Sequence, residues 1–86
     1  MSLLTIAKLI PAEYRKEILE LNMIDNAVAV GTDPSMNYLG VIWKNYIEPD
    51  FDPACNLCYS RVLTNLRQMK KTLIQLEKDS QLLNTA

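Results

Sequence analysis

The chain has 86 residues, 49% of them hydrophobic and 22% charged, with two cysteines, no histidine and a formal net charge of −1. That mixture is too apolar for a disordered segment, and its longest apolar stretches, Ala27 to Val30 and Leu39 to Trp43, are far short of a bilayer span. Without histidine there is no Ser-His or Cys-His pair and no imidazole base, so an enzyme is not expected.

One domain is the most that this length supports. A domain of this size buries only about 60 to 65% of its extended-chain surface, so it gains readily from oligomerisation or a metal. Charge is divided unevenly: residues 1–54 hold four basic against eight acidic side chains, and residues 55–86 hold five basic against two acidic. Halves of opposite sign attract, within one subunit or between two. The basic surplus over a whole domain that a nucleic-acid partner calls for is missing.

In chain order, Ser2 to about Leu9 reads as a short helix that stops before Pro11, because proline disfavours helical geometry in the residue before it. This opening stretch is apolar but has no basic flank and no small-residue cleavage site, so a cytoplasmic setting is expected. There the cysteines would be reduced, metal-bound or buried rather than bridged. A second helix is expected over residues 11–22, with Tyr14, Ile18 and Leu21 on one face. Residues 23–30 are ambiguous. An isolated strand cannot satisfy its own backbone, so continuation of the helix to a cap at Gly31 is preferred.

Asp33-Pro34 marks the next start, since an aspartate accepts an orphaned amide at a helix N-terminus and proline needs none there. The helix from there to about residue 47 carries Met36, Leu39, Ile42, Trp43, Tyr46 and Ile47 at helical spacing. Gly40 is a weak interior position that lets another group come close. An acidic connector, 48–52, leads to Asp52-Pro53 and a final helix over residues 53–83.

That helix holds a heptad rhythm, with Cys55, Val62, Met69, Leu76 and Leu83 at d and Tyr59, Leu66, Leu73 and Ser80 at a. At 1.5 Å per residue it would be roughly 42 Å long, against about 30 Å for a compact globule of this chain length. Its overhanging leucines ask for a partner. The sequence therefore predicts a homo-oligomer, a dimer in the first instance, through Cys55, Tyr59, Val62, Leu66, Met69, Leu73, Leu76 and Leu83. The alternative is an elongated bundle whose own N-terminal helices cover the same seam.

Three readings compete for Cys55-Asn56-Leu57-Cys58. A redox site would want a β-sheet scaffold that this chain does not offer. A zinc site would need Cys55 and Cys58 from each of two subunits, because one chain holds only two thiols and no histidine. The plainest reading is two small buried hydrophobes and no cofactor. The aromatics Trp43 and Tyr46 and the basic flank Arg61, Arg67, Lys70 and Lys71 are the candidates for contacting a partner.

The run Trp43-Lys44-Asn45-Tyr46, the acidic connector, and Cys55-Asn56-Leu57-Cys58-Tyr59-Ser60-Arg61-Val62-Leu63 resemble a pattern in small phage and prophage proteins of unknown function. The resemblance covers the second half of the chain and implies a viral origin and a short helical protein, with no residue role attached.

The expectation is thus an all-α bundle of three to four helices with a long, coiled-coil-like C-terminal helix. It would be a non-enzymatic interaction module, or else a counter-defence factor that binds a host protein or holds an anionic nucleotide in a basic pocket between subunits.

Overall fold

Serine, proline and aspartate set where the helices begin. The structure, a computed structural model, describes residues 2–84, with side chains described as far as Asp79. Helix α1 spans Leu3–Leu9, and the Ser2 hydroxyl caps it by accepting the Thr5 amide at 3.2 Å. Ile10 then turns extended ahead of Pro11, which stands just outside α2, Ala12–Glu20. Arg15 reaches back from α2 and donates from Nη1 to the Ile10 carbonyl at 2.8 Å and the Ala7 carbonyl at 3.4 Å. It thereby pairs the Ile10 carbonyl just past the end of α1 and adds a second donor to the Ala7 carbonyl, which already accepts the Ile10 amide.

The second helix does not run on to Gly31. Asn22 adopts the left-handed conformation (φ 51°) and splits off a single turn, α3, Met23–Asn26, which ends where Ala27 becomes extended. Asparagine tolerates this geometry better than other non-glycine residues, because its short amide can bond locally. Residues 27–33 form neither helix nor strand. They are drawn in by Asp33, whose Oδ2 accepts the Val28 amide at 3.2 Å and the Met36 amide at 2.9 Å. The second bond is the expected cap of α4, Pro34–Tyr46.

The last helix, α5, is Asn56–Asn84, starting three residues later than Asp52-Pro53 suggested. The Asp52 carboxylate accepts the Ala54 amide at 2.9 Å and its carbonyl accepts the Cys55 amide at 3.2 Å, so Asp52 builds a turn instead of a helix cap.

Each of the four shorter helices packs on α5, and among the described residues there is no strand. The all-α expectation holds, with five helices in place of three or four. A helix of this length is roughly 43 Å long, and the molecule measures 45 × 25 × 19 Å, so α5 is its spine. The core includes Ala7, Ile10, Ile18, Ile24, Met36, Leu39, Ile42 and Trp43 from the covering helices. Tyr59, Val62, Leu63, Leu66, Met69 and Leu73 face them from α5.

This placement corrects the use assigned to the seam. Tyr59, Val62, Leu66, Met69 and Leu73 are at most 1% exposed under the chain's own helices, as in the elongated-bundle alternative, and are core residues in this fold. Burying each large side chain contributes about 1.5 to 3 kcal/mol, which a monomer collects without a second copy.

Candidate functional site

Two regions of α5 hold chemistry or surface that the core does not consume: its head, against α4 and the connector, and its distal end, against α1.

At the head, Cys55 stands immediately before the helix, and its Sγ accepts the Cys58 amide at 3.2 Å. This is the work a serine or aspartate side chain does at an N-terminus. Both cysteines are free and half-buried. The Cys58 thiol is pushed above its ordinary range, first by its hydrogen bond with Cys55 and then by desolvation and the Cys55 charge, against a smaller opposing pull from Arg61. A catalytic thiol works through a lowered pKa, and the Cys58 thiol is shifted the other way.

One turn on, Arg61 grips Glu48 of the connector through two parallel bonds, Nη1 to Oε1 at 2.9 Å and Nη2 to Oε2 at 2.8 Å. The Trp43 indole approaches the same carboxylate at 3.5 Å. Arg61 holds Glu48 below the usual carboxylate range, with burial working the other way and Trp43 adding a smaller pull.

Beneath this ion pair Tyr59 lies edge-on to Phe51, centroids 5.2 Å apart. Two glycines make room for the ring: a Cβ on Gly31 would lie 3.2 Å from Tyr59 Cε2, and one on Gly40 only 2.8 Å from Cε1. The close approach expected at Gly40 is therefore that of an aromatic ring. A cleft of about 240 Å³ opens beside it, lined by Phe51, Tyr59, Val41 and Pro53 together with Asn37, Lys44 and Asn45.

At the distal end the seam loses its cover. Leu73 is fully buried, whereas Leu76 is only partly so, and Ile74 and Leu4 are 36% and 46% exposed. An open groove of about 440 Å³ runs there between Leu4 of α1 and Lys71, Thr72, Gln75, Leu76 and Asp79 of α5. Leu83, also assigned to the interface, lies outside the residues whose side chains are described.

The residues proposed for partner contact scatter. Trp43 is 3% exposed, a core residue that cannot offer its face to another molecule without opening the fold. Tyr46 is exposed and leans on Tyr14 at 5.7 Å, and Tyr14 in turn meets Tyr38 at 6.4 Å. Arg61 is taken by Glu48, and Lys70 by Asp25 of α3. Arg67 and Lys71 are exposed, and of the four cations only Lys71 lines the distal groove. Within one chain these cations do not converge. Among the described residues no three histidine, cysteine or acidic side chains gather where they could hold a metal ion, so a zinc site would still need a second subunit.

Sequence reasoning missed Arg15, Glu48 and Leu4. Of these only Glu48 had a usable signal, a carboxylate thirteen residues before an arginine, which becomes a pair only once the connector folds back. No protein-family model matches the chain, and no curated protein or solved structure is significantly similar to it. No described helix is long and apolar enough to cross a membrane.

Proposed function

We propose that the chain is a non-enzymatic interaction module, of the small phage and prophage type that its second half resembles. In this reading it works in the host cytosol and self-associates through the distal end of α5 rather than along the whole seam. The observation that carries the reading is the uncovered length of helix. Among the residues with described side chains Leu73 is the last buried one; from Ile74 to Asp79 each is exposed or only partly buried, with Leu76 half-exposed and a groove alongside.

The groove's charges suit a second copy of the same chain. Lys71 and Asp79 lie four residues to either side of Gln75. An antiparallel two-fold pairing centred there sets Lys71 of each copy against the partner's Asp79, the reciprocity that an isologous interface requires. Leu4 and Leu76 supply its apolar floor. A patch of this size supports a modest affinity, well below that of an interface burying the full seam.

Light scattering over a concentration series tests the reading. A mass approaching two chains at tens of micromolar is expected, falling to one chain for Leu76→Lys with helical circular dichroism retained. A single-chain mass for the unaltered protein at several hundred micromolar refutes it.

A further inference from the structure

The two thiols at the head of α5 are a pair of metal-ligating side chains that the distal interface does not use, with Cys58 packed only partly against the core. They lie three residues apart, Cys55 at the N-cap and Cys58 in the first turn of α5, tied by the 3.2 Å bond from the Cys58 amide to Cys55 Sγ, and both are half-buried, within reach of solvent. Zinc is poorly served here, since it takes four ligands and this chain brings two thiols and no histidine. A soft monovalent d10 cation has the opposite needs. Thiolate sulfur is its preferred ligand, and two sulfurs complete its linear coordination.

We propose that Cys55 and Cys58 of a single chain form a two-coordinate site for a soft monovalent cation, copper(I) being the biological case. Starting from two thiols, Cu⁺ forms two copper–sulfur bonds and two protons pass to solvent. No electron is transferred, and the product is a dithiolate complex of charge −1. The surroundings suit that charge. The complex forms at the positive end of the α5 dipole, where the amides of the first turn point, and the Arg61 guanidinium that holds Glu48 stands one turn on from Cys58. Asp52, nearby, is a hard oxygen ligand that does not compete for a soft ion.

The test is an anaerobic titration of the reduced protein against the coloured copper(I)–bicinchoninate complex, with native mass spectrometry on the product. Expected are withdrawal of one copper per chain, a single-chain ion carrying one copper, and at least a 100-fold weaker competition by Cys55→Ser and by Cys58→Ser. Serine at position 55 keeps the cap, so helical circular dichroism should be retained and loss of copper can be read as loss of a ligand. The Leu76→Lys variant should bind copper as the parent does, which separates this site from the association proposed above. Three results overturn the proposal: competition no stronger than that of the double serine variant, saturation at one copper per two chains, or zinc(II) bound with equal stoichiometry in preference to copper(I).

Discussion

The head and the tail of α5 carry the same heptad pattern and meet opposite fates. From Tyr59 to Leu73 every a and d residue is sealed beneath α1 to α4, while Leu76, the next in register, is left partly open. Periodicity reports that a helix face is apolar. It carries no information about whose surface covers it. Among the described residues the full burial of the stripe ends at Leu73, and Leu4 near the start of α1 lines the groove beside Leu76.

The contrast can be broken most forcefully by truncating the seam. Leu66→Ala and Leu73→Ala should each cost about 2 to 5 kcal/mol, lowering the melting temperature by roughly 10 °C or more. Leu76→Ala, one step along the same stripe, should cost about 1 kcal/mol or less. Equal losses at Leu73 and Leu76 in denaturant titrations would mean that the tail is packed like the head. At the head, Gly40→Ala forces the Tyr59 ring to move and should cost about 1 to 3 kcal/mol despite alanine's better helix propensity. Pairing it with Tyr59→Leu should return part of the loss.

Smaller effects sharpen the picture of the head. Cys55→Ala removes the cap of α5 and should cost about 1 kcal/mol, whereas Cys55→Ser should be nearly neutral, both read by thermal melting. Glu48→Gln should cost about 0.5 to 1 kcal/mol at neutral pH, the range for a bidentate pair as exposed as this one. Arg61 depresses the folded-state pKa of Glu48 below its unfolded value. The stabilisation is therefore complete above the ordinary carboxylate range, declines as pH falls through it, and is gone below the depressed value. Stability measured against pH should show the two proteins converging in acid and separating on return to neutrality.

Much of this fold was legible from local chemistry. Ser2 and Asp33 are caps whose bonds lie within three residues, and they appear where expected. The rest depended on distant partners. Asp52 looks like Asp33 in sequence, yet its carboxylate closes a turn, because Phe51 is pulled into the core and Cys55 takes over as cap. The break at Asn22 has no proline or glycine to announce it. Trp43 and Tyr46, read together as a docking face, point to different sides of α4, one into the core and one toward solvent. The covered seam was visible only as one of two alternatives, since choosing between them requires knowing where α1 and α4 settle.

Every shorter helix rests on α5, and the spine follows all four of them in chain order. Until it emerges, α1 to α4 have their apolar faces prepared and no common surface to bury them on. Assembly of this core therefore waits for the spine to emerge. During that interval the nascent chain is a natural client for whatever in the cell shelters exposed hydrophobic helices.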